Sequence, residues 1–241
     1  MSYRLGVDVG GTFTDFLLIN ESDGSTHTAK VPSTPEDSSI GVLNGVSRIC
    51  EQSGVDPTDI KLVMHGTTVA TNAVLTGNGA KVGLLTTEGY ESVLQVARSF
   101  CPGGLGGWVS FVKGPLLAPL ELTYGIRERT DASGEISISL DETQLRQQLN
   151  ELKAQEQVEA LTISFVNSYI NNTNEVQAAK IAGEIFTDIP ISISSEVIPE
   201  MQEYERAETT VLNSYVRPQV SSYVNNLQSN LEKSLGSDIQ L

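Results

Sequence analysis

Leu5-Gly6-Val7-Asp8-Val9-Gly10-Gly11-Thr12-Phe13-Thr14-Asp15 decides how the rest of the chain is read. Leu5, Val7 and Val9 alternate with smaller or polar residues, the period of a half-buried strand. Gly10-Gly11 suits a two-residue hairpin turn with positive φ angles. Phe16 to Ile19 is apolar enough to return as the second strand. Asp8 therefore stands near a strand end, with two glycines and the Thr12 and Thr14 hydroxyls just beyond it. Glycines let backbone N–H groups approach phosphate oxygens closely. A carboxylate beside them can hold Mg²⁺ directly or through its waters. The same residues also suit an ordinary hairpin whose glycines serve only the turn, so the alternative stays open at this point.

A second segment has the same character. Ile60 to Met64 reads as a short buried strand, and His65-Gly66-Thr67-Thr68 leads into a helical stretch, Val69 to Leu75. The N–H groups of a first helical turn lack intrahelical partners and lie at the positive end of the dipole, which favours an anion. Thr67 or Thr68 could equally be a plain helix cap. Asn72 lies one turn along from Thr68, and His65 has the look of a hydrogen-bonded structural histidine.

The remaining chain reads as mixed α/β. His27 to Val31 is a third strand. Thr34-Pro35-Glu36-Asp37 starts a helix that carries Ile40, Leu43, Val46 and Cys50 on one face. Lys81 to Thr86 is a strand and Tyr90 to Ala97 a helix. Residues 101–119, rich in Gly and Pro and holding the single Trp, form an ordered loop over a pocket or a mobile connection. Glu121 to Thr130 and Glu135 to Leu140 form a hairpin about Asp131-Ala132-Ser133-Gly134. Asp141 to Gln144 has capping-box spacing, ahead of Leu145, Leu149 and Leu152 on one helical face. Leu161 to Val166 is a strand, Glu175 to Phe186 a helix, and Ile189 to Val197 a strand. Glu203 to Leu235 is a long helix with Leu212, Val216, Val220, Val224, Leu227, Leu231 and Leu235 on one broad face. Pro218 should kink or interrupt it.

Composition narrows the function. The 241 residues carry 39% apolar and 19% charged residues, as globular proteins do. The formal net charge of −15 argues against binding nucleic acid or an anionic membrane. An acidic chain still accepts a nucleotide where Mg²⁺ and backbone amides neutralise the phosphates. Cys50 and Cys101 form no zinc pattern and suit a reducing compartment, although a disulfide between them is not excluded by counting. No stretch is apolar enough to span a membrane and no secretory signal opens the chain, so a cytoplasmic location is expected.

Taken together, Gly6 to Asp15 and His65 to Ala73 resemble the hydantoinase A / 5-oxoprolinase family. The likeness continues through Gly83 to Tyr90, Arg98, Glu128-Arg129, Ser168-Tyr169, Ser194 to Glu200, Glu203 to Arg206 and Thr209-Thr210. Pro102 to Trp108 and Pro119-Leu120-Glu121 look closest to its N-methylhydantoinase A-like branch. The resemblance implies a ribonuclease-H-like, actin-like ATPase core: a mixed sheet with flanking helices that ends here in the long C-terminal helix. It places the family's hydantoinase/oxoprolinase N-terminal domain at residues 1–188 and the start of a following hydantoinase A domain at 189–241.

The same resemblance implies ATP and Mg²⁺ as cofactors. Members open lactam or hydantoin rings, or carboxylate ketones, after ATP phosphorylates a carbonyl-derived oxygen. Asp8, Gly10, Gly11 and Thr12 match the first phosphate motif, with Thr14 and Asp15 beside them and Asp8 as the metal residue. Gly66, Thr67 and Thr68 match the second segment. The expected substrate is a cyclic amide, and the expected partner is a subunit of hydantoinase B type within an oligomer. A subunit of a ketone carboxylase and a non-catalytic interaction protein are the alternatives. No catalytic base is identified. Asn172-Thr173-Asn174-Glu175 lacks the Pro and His of many relatives, so no role of that His carries over. Family members are far longer, and a second phosphate motif and an adenine pocket are expected downstream of Leu241. The 241-residue chain alone is expected to have little ring-opening activity, and the apolar face of its last helix to need a partner surface.

Overall fold

The computed structural model describes residues 2–34, 38–99, 103–110, 113–155, 157–236 and 239–241. They form two compact units. One comprises Met1–Asn78 with Gln219–Leu241, the other Gly79–Pro218. This division is by contact, and residue 188 falls inside the second unit.

The first unit is built on β1 (Tyr3–Val9), β2 (Phe13–Asn20) and β3 (Thr26–Pro32), followed by α1 (Ser38–Ser53), β4 (Ile60–Thr67) and α2 (Val69–Thr76). The strand order is β3-β2-β1-β4. β1–β2 and β2–β3 are antiparallel, and β4 runs parallel to β1. A parallel neighbour needs a crossover, which α1 supplies. Leu5, Val7, Val9, Phe16 and Leu18 are buried on one face, with Val42, Val46 and Ile49 of α1. α1 reaches this face through a close approach: a Cβ on Gly45 would stand 2.0 Å from the Phe16 ring. Pro35, Glu36 and Asp37 of the expected helix start lie outside the described residues, but the Thr34 hydroxyl accepts a hydrogen bond from the Gly41 N–H at 3.0 Å.

The glycine turn is shifted by one residue from the position the sequence suggested. The Gly10 N–H donates to the Phe13 carbonyl at 3.1 Å, so the two loop residues are Gly11 and Thr12. Neither glycine has a positive φ. What Gly10 contributes is room, since a Cβ there would lie 3.0 Å from the Phe13 oxygen.

The second unit holds β5 (Val82–Thr87), α3 (Val93–Val96), α4 (Gly104–Ser110), β6 (Thr123–Ile126), β7 (Arg129–Thr130), β8 (Ile136–Ile138), α5 (Glu142–Ala154), β9 (Ala160–Ser164), α6 (Thr173–Ile185), β10 (Ile191–Ile193) and α7 (Ser194–Val197). β10, β9, β5 and β6 form a parallel sheet in that order. α5 and α6 bury Leu145, Leu149, Ala178 and Ile181 with Leu85, Leu161 and Ile163.

Several expected elements are shorter. The helix expected at Tyr90–Ala97 keeps only Val93–Val96, because Gly89 (φ 88°) and Ala97 (φ 51°) break the backbone on either side. The hairpin is only β7–β8, since Thr123–Ile126 pairs with β5 instead. Its turn is held as expected, by the Asp131 carboxylate accepting from the Ser133 and Glu135 N–H groups. The strand expected to reach Val197 stops at Ile193. There the Glu175 carboxylate draws in the Ser194 hydroxyl (2.6 Å) and the Ser195 N–H (2.9 Å), which turns the backbone into α7. Within the loop expected at 101–119, Gly104–Ser110 is helical, while Cys101, Pro102, Phe111 and Val112 lie outside the described residues. Cys50 is a free, buried thiol.

α8 (Glu203–Leu235) runs through Pro218 without interruption. The ring removes one backbone donor, but burial on either side keeps the segment helical. Ala207, Val211 and Tyr215 are buried in the second unit's core. Tyr223, Leu227, Leu231 and Leu235 are buried in the first unit's core. Leu227, Leu231 and Leu235 of the expected apolar face are thus covered within the chain. Leu212 and Val224, expected on that face, are exposed.

The Gly45–Phe16 contact is testable. Gly45→Ala should cost roughly 1–3 kcal/mol by overpacking, measured by denaturant unfolding. Phe16→Leu in the same background should recover part of it. A loss independent of residue 16 would show that the helix approach is not what Gly45 serves.

Candidate functional site

The pleat of β1 separates the residues that the sequence grouped. Val7 and Val9 are buried, so Asp8 faces the opposite, open side of the sheet. Its antiparallel neighbour is Asp15 and its parallel neighbour Gly66. These three, with Leu17 and Met64, border a shallow recess. Like charges directly opposite on a sheet repel. Lys30 compensates Asp15 at 3.0 Å, whereas Asp8 has no cationic partner among the described residues. A Cβ at Gly66 would lie 3.5 Å from Asp8 Oδ1, so the glycine keeps that oxygen open. The described residues include no cluster of three metal-ligating side chains. A single open carboxylate fits a cation such as Mg²⁺ that keeps its waters and takes further oxygens from a phosphate.

Gly10 and Gly11 line a different space, a cleft of about 530 Å³ within the first unit. Its other walls come from α2 through Thr68, Val69 and Asn72 and from α8 through Gln219, Tyr223 and Asn226. The Ser33 hydroxyl pins the turn by donating to the Gly10 carbonyl at 2.7 Å, and the Ser33 N–H donates to the Thr12 carbonyl at 2.9 Å. Thr14, expected to face a ligand, is fully buried and instead meets Ser33 Oγ at 3.0 Å. Its burial follows from pairing with Val9, which places both on the core face.

Thr12 and Thr67 are exposed and line neither space. Thr68 is the N-cap of α2 but makes no side-chain cap bond. Its N–H donates to the Val9 carbonyl at 3.3 Å, and its hydroxyl accepts from Asn72 Nδ2 at 3.2 Å. Thr67 Oγ1 accepts from the Val69 N–H at 3.2 Å. The two threonines thus divide the start of α2 between them.

Sequence reasoning missed Ser33 and the α8 wall. Ser33 acts through a contact with Gly10 that no local pattern shows. Gln219, Ser222, Tyr223 and Asn226 follow helical spacing and put amides and hydroxyls on one stripe, a signal present in the sequence. His65 is explained by the same helix: its Nε2 meets the Tyr223 hydroxyl, with ring centroids 5.3 Å apart. Burial pushes the His65 imidazole below its ordinary value, and the Asp8 charge partly opposes this.

The mixed β3-β2-β1-β4 sheet, the parallel second sheet and the long α8 define a mixed α/β class of fold. Within that class the chain belongs to the hydantoinase/oxoprolinase family, whose N-terminal region matches residues 4–186. It is 34% identical to caprolactamase subunit alpha of Pseudomonas jessenii over 235 residues, covering 96% of this chain and 34% of that one. It is 34% identical to the acetophenone carboxylase gamma subunit of Aromatoleum aromaticum, covering 88% and 31%.

Among solved structures, a nucleotide-free acetone carboxylase superposes with a TM-score of 0.86 at 26% identity, over 96% of this chain and 34% of that one. The Pseudomonas jessenii ATP-dependent caprolactamase gives 0.85 at 33%, over 97% and 34%. The chain thus spans about a third of the length of these relatives. No described helix is long and apolar enough to cross a membrane.

The His65 shift has a consequence for stability. The unfolded imidazole takes its proton near pH 6.5 and the folded one at lower pH. Between these values the unfolded state binds more protons, so the contribution is complete above pH 6.5 and is lost as pH falls below it. Thermal melts across this range should show that slope, and His65→Gln should flatten it. An unchanged slope in the variant would assign it to other groups.

Proposed function

We propose that this chain is the N-terminal part of an ATP-dependent amidohydrolase that opens a cyclic amide of the hydantoin or 5-oxoproline type. The observation that carries the proposal is the Ser33-pinned Gly10–Gly11 turn beside the uncompensated Asp8. In this reading the turn receives the phosphate end of Mg-ATP. Exposed N–H groups at a glycine turn can meet phosphate oxygens, and Thr12 stands at the same tip with its hydroxyl exposed. Asp8 holds the Mg²⁺. The start of α2 at Thr67 and Thr68, directly after Gly66, adds the positive end of a helix dipole.

ATP supplies a phosphoryl group that turns an unreactive amide oxygen into part of a leaving group. The chain's own residues bind and orient. Asp8 lets an acidic protein accept an anionic nucleotide, and Ser33 fixes the turn that the phosphates approach. A boundary between family regions near residue 188 belongs to this reading, supported by the family match ending at 186. So do a cytoplasmic location and a partner subunit of hydantoinase B type in an oligomer. The names of the relatives support the partner, since two are themselves subunits.

The second reading is a subunit of an ATP-dependent ketone carboxylase. It is favoured by identity to the acetophenone carboxylase gamma subunit equal to that with caprolactamase. Incubating the full-length protein with Mg-ATP and either a lactam or a ketone plus bicarbonate separates the two by product.

In the full-length protein, Asp8→Asn should weaken Mg-ATP binding by roughly one to two decades, the size of a lost charge-assisted contact of about 1.5–3 kcal/mol. Its melting temperature should not change, because the side chain faces away from the core. Gly11→Val should weaken binding sterically. Calorimetric titration measures both. Normal Mg-ATP binding by a folded Asp8→Asn variant would remove Asp8 as the metal anchor.

A further inference from the structure

The cleft behind the glycine turn has a chemical character that the phosphate reading does not use. Its side chains include the carboxamides of Asn72, Asn78, Gln219 and Asn226 and the hydroxyls of Ser222 and Tyr223. Among its lining residues none carries a charge. Val9, Val69 and Ala73 supply apolar surface. The side chains of Gln219 and Asn226 make no hydrogen bond within the described residues. Asn72 commits one amide proton to Thr68 at 3.2 Å, which fixes the plane of its carboxamide and leaves Oδ1 for a ligand.

We infer that this cleft is the ring subsite, and that it selects cyclic amides without a charged substituent, the hydantoin type of the two named above, over rings that carry a carboxylate. The inference rests on the reading of the Gly10–Gly11 turn as the phosphate site, because that turn forms one edge of the cleft and brings the ring next to the phosphoryl donor.

Three physical points carry it. A ring holds its amide cis, so its N–H and C=O point to the same side. A primary carboxamide presents a complementary donor and acceptor pair and can meet such an edge with two hydrogen bonds. Next, the cleft's volume of about 530 Å³ lies in the range of small-molecule sites, and its apolar patches suit ring methylenes. Third, a ring carboxylate would meet no cationic side chain among the residues that line the cleft, in a protein with a formal net charge of −15. Water it gives up there is not replaced by a charged partner, and the protein's field adds repulsion. The selection is therefore set by charge more than by ring size.

The experiment compares two rings that differ only there: 5-oxoproline, an anion at neutral pH, and its neutral carboxamide, with ε-caprolactam as an unsubstituted probe. Binding to the protein is read by calorimetry or ligand-observed NMR, with and without Mg-ATP. The neutral carboxamide should bind about tenfold or more tighter than 5-oxoproline, the scale at which an unpaired polar group discriminates. Asn226→Leu should weaken the neutral rings. Asn226→Arg, at an exposed helix position that tolerates the change, should narrow or reverse the preference by giving the carboxylate a partner.

Equal binding of the two rings would overturn the inference, as would ring binding insensitive to both variants or no ring binding at all. Failure of the nucleotide reading has a separate signature: Mg-ATP binding that is absent or unaffected by Gly11→Val. A protein that binds Mg-ATP at the turn yet prefers the carboxylate ring would retain the first proposal and lose this one.

Discussion

The alternating burial of β1 is the constraint on which the first unit depends. Leu5, Val7 and Val9 are 0–4% exposed, and a strand's side chains alternate in direction. Once that face is committed to α1 and α8, Asp8 has no choice but the other. A one-residue slip would bury the carboxylate and expose the valines. The register that stabilises the core is therefore the register that presents Asp8. The turn stands beyond the last buried residue and can be reached from either side of the sheet. Two spaces of different chemistry follow, an acidic recess on one face and an uncharged cleft on the other.

The second unit depends on a buried polar network instead. Arg206 is only 1% exposed. It donates to Ser194 Oγ, the Glu200 carbonyl and the Phe165 carbonyl at 2.7–3.1 Å, and lies over the Tyr169 ring. Glu175, fully buried, accepts from the Phe165 and Ser195 N–H groups and from the Ser194 hydroxyl. Glu128, with burial pushing its carboxyl up, accepts from Thr87 and from Asn174. Such groups are tolerated in a core only when nearly every donor and acceptor is satisfied. Ser168, Ser194, Glu200, Arg206 and Glu128 belong to segments that carry the family likeness. Their positions here give that likeness a structural cause: they tie the ends of the parallel strands to α8 and α6.

Much of this was legible along the chain, and what was not has a common origin. β1, β2 and α5 have strong periodicity, and their burial follows it, while α8 follows it except at Leu212 and Val224. The failures sit where a distant side chain overrides local preference. Ile189–Val197 alternates well enough for a strand, but Glu175 pulls residues 194–197 into a turn. Thr123–Ile126 reads as one arm of a hairpin, yet the exposed edge of β5 offers a parallel partner. In the candidate site, Asp8, Gly10 and Gly11 were recognisable by type and spacing. That Asp8 and the glycines face different spaces was implied by the pleat. Thr14 was misplaced because hydroxyl chemistry outweighed its parity with Val9.

α8 joins these levels. Its apolar residues account for its length, and its polar stripe accounts for what they leave uncovered. Tyr223 does both: its ring is buried with Leu227 and Leu231 and borders the cleft, while its hydroxyl meets His65 on β4. One turn on, Asn226 faces the cleft from the same helix. The wall opposite the glycine turn is therefore positioned by core packing and needs no separate device. A neutral wall suits that place. Under the function proposed above, amides and hydroxyls there would leave charge recognition to the open Asp8 carboxylate. The division between a charged face and an uncharged one follows from a single pleated strand.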